Sequence, residues 1–152
     1  MITQIIREEK INTDLDVVWD FMSSPKNLEK ITPTNMMFKI TSKKLPEKIH
    51  PGMIISYKVS PILNIPLNWV TEITHVNDKN MFVDEQRLGP YKMWHHQHIF
   101  NKEKDGVLMK DIITYIPPLG FIGNISNKIF IKKKVNNIFD YRSKILNEIF
   151  NA

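Results

Sequence analysis

A chain of 152 residues, 42% hydrophobic and 24% charged, is long enough to bury one substantial core and too apolar for general disorder. It has no cysteine, which excludes a disulfide framework and a thiolate nucleophile and leaves histidine and carboxylates to hold any metal. A net charge of +5 admits acidic partners, while no apolar run approaches the ~20 residues that a membrane span needs.

In chain order, "ITQIIREEKI" is rich in β-branched residues and reads as a first strand. Its early charges do not resemble the apolar core of a signal peptide, so a cytoplasmic location is the expectation. In "NTDLDVVWDFM", Thr13 and Asp16 have capping-box spacing, and Leu15, Val18, Trp19 and Met22 form an amphipathic stripe. "SSPKNLEKITP" starts a second short helix with Ser24 as cap and Pro25 at its first position, and Pro33 closes it. Six strands follow, over Met37–Lys43, Met53–Val59, Leu67–His75, Met81–Arg87, Lys92–Asn101 and Val107–Ile116. "SPILNIP" is too rich in proline for a central strand and reads as a loop. Ile131, Val135, Ile138, Ile145 and Ile149, widened by Phe139, Leu146 and Phe150, then predict one long helix over 122–150.

This order predicts an α+β fold and a single domain over 1–152. A curved, seven-stranded antiparallel sheet wraps around the long C-terminal helix, with two short helices after the first strand. The stretch "DEQRLGPYKMWHHQHIF" fixes which strand face meets that helix. Trp94, His96, His98 and Phe100 share one face by alternation. A four-residue "LGPY" connection sets Gln86 opposite Trp94, Asp84 opposite His96 and Phe82 opposite His98. A tight "EKDG" turn sets Phe100 opposite Asp111, His98 opposite Ile113 and His96 opposite Tyr115. Across "NDKN", Trp69, Thr71, Ile73 and His75 join the same face. Glu72, Glu85, Arg87, His95, Gln97, Lys110 and Thr114 take the other, so the aromatic face is the inner one.

Asp84, Gln86, His96, His98, Asp111 and Tyr115 therefore point inward, where an unpartnered polar group costs about 1–3 kcal/mol. They form a structural hydrogen-bond network, the polar end of an apolar ligand pocket, or both. His96-x-His98 with Asp84, His75 or Asp111 has the donor types of a metal site, but no spacing fixes a third ligand, and no metal or other cofactor is assigned. Asp84, His96 and His98 are also the candidates for acid–base chemistry. There is no G-x-S-x-G and no glycine-rich phosphate loop. Lys132–Lys134 in "IKKKV" read as a solvated helix face; the competing reading is attraction to nucleic acid or an anionic membrane surface.

With these residues in view, the chain resembles the START-like (SRPBCC) superfamily of helix-grip proteins, which includes polyketide cyclase/dehydrase-like proteins, lipid-transfer domains and the birch pollen allergen family. "VWDFMSSPKNLEKITP" resembles their helical entry, and "DEQRLGPYKMWHHQHIF" their strand pair. "DIITYIPPLGFIGNI" with "IFDYR" resembles their last strand and grip helix. The resemblance implies a cavity between sheet and helix for a small lipid-, polyketide- or aromatic-like molecule, with no fixed cofactor and no catalytic motif to carry over. The expected binding residues are Trp69, Thr71, Phe82, Gln86, Trp94, His96, His98, Phe100, Asp111 and Tyr115. A cyclase-, dehydratase- or hydrolase-type enzyme is the alternative. A nucleic-acid partner is not expected, peripheral membrane contact is left open, and the sequence fixes no oligomeric state.

Overall fold

The computed structural model describes residues 1–60, 65–118, 120, 125 and 130–151. Strand β1 (Thr3–Ile11) buries Ile5 and Ile11, and the stripe Val18, Trp19 and Met22 buries one face of helix α1 (Leu15–Met22). The cap of α1 is Asp14 rather than Thr13. The N–H groups of Val17 and Val18 both reach the Asp14 carbonyl at 3.1 Å, and no side-chain cap bond forms, so the capping box is absent. The second short helix is a 3-10 turn over Pro25–Leu28, followed by another over Thr34–Met36. Asn27 donates its amide to the Phe21 carbonyl at 3.0 Å, folding this segment back on α1 before it can lengthen.

The strand expected over Met37–Lys43 shrinks to β2 (Lys39–Ile40). Met37 sits at φ 46, outside the extended region, and the N–H groups of Thr41 and Ser42 converge on the same Ser56 carbonyl, which ends regular pairing. The rest of the sheet is β3 (Met53–Val59), β4 (Leu67–Asn77), β5 (Met81–Leu88), β6 (Met93–Glu103) and β7 (Gly106–Ile116). Part of "SPILNIP" and the expected start of the long helix lie outside the described residues; helix α2 is described over Lys132–Phe150.

All seven strands pair antiparallel in the order β1-β7-β6-β5-β4-β3-β2. Because β1 and β2 are opposite edges, the helical segment between them crosses from one side of the sheet to the other. Helix α2 is tied to β1 by Arg7–Asp140 and by Glu9, which accepts from Ser143 and Asn147. Its buried stripe is Val135, Phe139, Arg142 and Leu146, whereas Ile149, expected inward, is exposed. The core divides in two. Leu146 joins Ile11, Trp19, Phe82 and Phe100 in one cluster, and Val135 and Phe139 join Ile5, Ile113 and Tyr115 in the other. Arg142 lies between these contributions along the helix. Among the described residues no helix is long and apolar enough to cross a membrane.

Register decides what faces inward. Phe82 pairs with His98 and Asp84 with His96, and the β5–β6 ladder ends at Glu85–His95, before Gln86. The β6–β7 register is two residues from the expected one: Trp94 pairs with Tyr115, His96 with Ile113 and His98 with Asp111. Lys104 and Asp105 form the turn, and Gly106 is already the first residue of β7. A Cβ on Gly106, at φ 139, would lie 2.2 Å from the Ile11 carbonyl oxygen, so glycine is needed where the hairpin passes the end of β1. A two-residue slip preserves parity, and the inner face is unchanged. In β4, pairing jumps from Ile73–Asp84 to His75–Val83 at a bulge. His75 is thereby turned out to solvent and Val76 packs against the core, so His75 cannot join a cluster with His96 and His98.

Candidate functional site

Two histidines of β6 sit between two carboxylates, one from each neighbouring strand. His98 Nε2 donates to Asp84 Oδ2 on β5, and His96 Nε2 to Asp111 Oδ1 on β7, both at 2.7 Å. Asp111 Oδ1 also lies 3.1 Å from His98 Nδ1, close enough to attract it but not aligned for a hydrogen bond. The two imidazoles are 3.7 Å apart, His98 stacks on Phe82 at 4.0 Å, and His96 meets the edge of Phe139 at 5.4 Å. His96, His98 and Asp111 are 3%, 4% and 3% exposed, which makes their charges a matter of mutual pairing rather than solvation.

The environment sets the two histidines apart. Burial, together with the neighbouring positive charge on His98, lowers the pKa of His96 to about 4, so it is neutral near pH 7. Burial also opposes charge on His98, but its close contacts with Asp111 first and Asp84 second outweigh it and raise its pKa. For Asp84 and Asp111 burial acts upward and is overcome by the histidines, leaving both pKa values lowered. The cluster is thus a buried set of two histidines, with His96 neutral near pH 7 and His98 biased toward its charged form, held between two carboxylates. Asp84, His96 and His98 bring their donor atoms within 4.8 Å of one another, the residue types of a two-histidine, one-carboxylate centre. Hydrogen bonds to Asp111 and Asp84 already occupy the Nε2 atoms of His96 and His98.

Beside this cluster, between the sheet and α2, lies a cavity of about 150 Å³. Trp69, Thr71, Phe82, Asp84, Trp94, His96 and His98 line it from the sheet, together with Tyr57 and Ile55 of β3. Phe139 and Arg142 line it from α2, and Leu28, Ile31 and Met36 from the segment that crosses the sheet. Trp69 stacks on Tyr57 at 5.9 Å and meets Trp94 edge-on at 5.6 Å, so the wall is a rigid aromatic surface. The Tyr57 hydroxyl is hydrogen bonded to Thr71 at 3.0 Å, and burial raises its pKa strongly. A wider hollow of about 530 Å³ adjoins, lined by Pro33, Pro90, Phe130, Ile131, Lys134 and Tyr141. Met36, Tyr91 and Ile138 line both spaces and form the partition between them.

Four residues named from the sequence lie elsewhere. Gln86 closes the β5–β6 connection, donating to the Tyr91 carbonyl at 2.6 Å and accepting from the Tyr91 N–H at 3.1 Å. Phe100 packs in the core against Trp19 at 5.3 Å. Asp111 stands behind His96, and Tyr115, fully buried, supports Trp94 and Tyr91. On the outer face Arg87 pairs with Glu72 and Glu85, and Glu85 is hydrogen bonded to His95, as alternation requires.

No protein-family model matches the sequence, and no curated protein matches it. Solved structures do. A ginseng major latex-like protein from Panax ginseng superimposes with a TM-score of 0.71 at 13% identity, covering 99% of this chain and 98% of its own. A protein from Chromobacterium violaceum gives 0.73 at 10% identity over 98% and 97%. Ara h 8.0201 gives 0.61 at 11% over 97% and 99%. The fold is the helix grip.

The long helix was expected at the cavity, but its lining residues Phe139 and Arg142, and Ile55 and Tyr57 of β3, were not among the expected binding residues. Arg142 is 7% exposed, faces the cavity, and has Nε and Nη1 without hydrogen-bond partners. Its position, three after Phe139 and four before Leu146, is the signal that places it on the buried stripe. Tyr57 carried a similar signal, sharing parity with Ile55 and Val59 on β3.

Proposed function

We propose that the chain binds a small hydrophobic molecule with one polar end in the cavity between the sheet and α2. The observation that carries this reading is the cavity itself, which has aromatic walls and a polar floor of His96, His98 and Arg142. A dry core would instead mesh side chains across that space. A space of about 150 Å³ suits roughly one aromatic ring or a short alkyl segment. A longer ligand would pass between Met36, Tyr91 and Ile138 into the outer hollow of about 530 Å³. The START-like fold supports a hydrophobic-ligand site in general terms.

Acid–base catalysis by Asp84, His96 and His98 is the second reading. It draws on the neutral state of His96, a base facing the same cavity. Nothing else in the geometry singles out a reaction, so binding is preferred.

Titration with the neutral fluorescent probe N-phenyl-1-naphthylamine tests the binding reading. Saturable enhancement is expected, and Thr71→Phe, which fills the cavity, should weaken it at least tenfold while the circular dichroism spectrum stays that of a folded chain. Binding undiminished in that variant, or no binding to the parent chain, contradicts the proposal.

A further inference from the structure

Of the unpartnered buried polar atoms on residues that line the cavity, His98 Nδ1 has Asp111 Oδ1 at 3.1 Å, and the other three share one chemical character. Trp69 Nε1, Arg142 Nε and Arg142 Nη1 are all buried, all belong to residues that line the inner cavity, and all lack a hydrogen-bond partner. Each is a donor with no capacity to accept. Trp69 and Arg142 are 8% and 7% exposed, so bulk water does not serve them. The carboxylates are committed elsewhere: Asp84 to His98, and Asp111 to His96. Arg142 Nη1 stands 3.7 Å from Asp111 Oδ1, beyond hydrogen-bond reach, and the guanidinium rests over the Phe139 ring at 4.7 Å. Asp111 thus gives the guanidinium a nearby counter-charge but no hydrogen bond, and an acceptor entering the cavity would satisfy the open donors.

We infer that the polar end of the ligand is a carboxylate, received by the Arg142 guanidinium and the Trp69 indole N–H. The inference rests on the binding reading and narrows its ligand class to apolar monocarboxylic acids. A neutral carbonyl would satisfy one or two N–H groups but leave the guanidinium without a hydrogen-bonded counter-charge, and an amine would add donors to donors. A carboxylate supplies acceptor sites for all three atoms and the charge as well. The aromatic surface of Trp69, Tyr57 and Trp94 meets the first apolar atoms beyond it. Lys134 lines the outer hollow and the chain as a whole carries +5, a field that favours the approach of an anion.

Displacement of bound N-phenyl-1-naphthylamine from the full chain at pH 7 by decanoate, 2-decanone, 1-decanol and decylamine separates these possibilities. Decanoate should displace the probe at least tenfold more tightly than 2-decanone or decanol, with decylamine weakest, as expected for charge-assisted hydrogen bonds in a buried site. Arg142→Met should collapse the decanoate-to-decanol ratio to near one. Trp69→Phe, which keeps an aromatic ring but lacks the N–H, should reduce the ratio by about two- to fivefold and serves if the arginine variant does not fold. Probe binding with equal displacement by acid, ketone and alcohol overturns the carboxylate while leaving the cavity reading intact. A chain that binds neither the probe nor any member of the series overturns both.

Discussion

Arg142 occupies a place on α2 that helical spacing assigns to a hydrophobic residue, and Asp111 occupies one on β7 between Met109 and Ile113. Both are held by what surrounds them, and the histidines between Asp84 and Asp111 make stability depend on pH in a definite sense. His98 has a raised pKa, so its stabilisation is complete below about pH 6.5 and is lost as pH climbs through the raised value. His96 has a pKa lowered to about 4, so keeping it neutral costs stability as pH falls from roughly 6.5 toward that value. The lowered Asp84 and Asp111 values add to the loss at still lower pH. Melting temperature should therefore peak near pH 6–6.5, and His98→Asn should flatten the alkaline limb. A parent chain whose melting temperature is level from pH 6.5 to 9 contradicts this account of the pair.

At the scale of elements, alternation was legible wherever strands are regular and failed where they are not. The inner placement of Trp94, His96 and His98 followed from period two, and it survived a two-residue error in the β6–β7 register because parity is indifferent to even shifts. His75 was misplaced because a bulge shifts parity by one, and nothing in "TEITHVN" announces it. The expected strand at Met37–Lys43 failed because a left-handed Met37 and a shared Ser56 carbonyl are tertiary accommodations, invisible to propensity. Asp105-Gly106 invited assignment as a turn centre, yet Gly106 is glycine for its close approach to Ile11. Gly106→Ala should accordingly destabilise the fold by about 2–4 kcal/mol, through both the positive φ and the clash. Urea unfolding measures this, and a loss under about 0.5 kcal/mol would show that the β6–β7 turn and β1 are not in such contact.

For the whole molecule, the element order named the architecture, since one long amphipathic helix and a run of strands leave few other ways to cover a sheet. The cavity was legible only as an inner face with too many polar residues. Its volume, the partition at Met36, Tyr91 and Ile138, and the entry of Arg142 depend on how α2 and the crossing segment seat on that face. A linear pattern does not encode such three-body packing. It is also why Gln86 was taken for a ligand contact: its parity is right, but the carboxamide turns to the Tyr91 backbone.

Methyl-resolved NMR during titration with N-phenyl-1-naphthylamine tests the occupied cavity most directly. Shifts are expected for the methyls of Ile55, Ile73, Ile138 and Met36, which line the space, with those of the exposed Ile6 and Ile54 unmoved. Shifts confined to the surface methyls, or none at saturating probe, would contradict it.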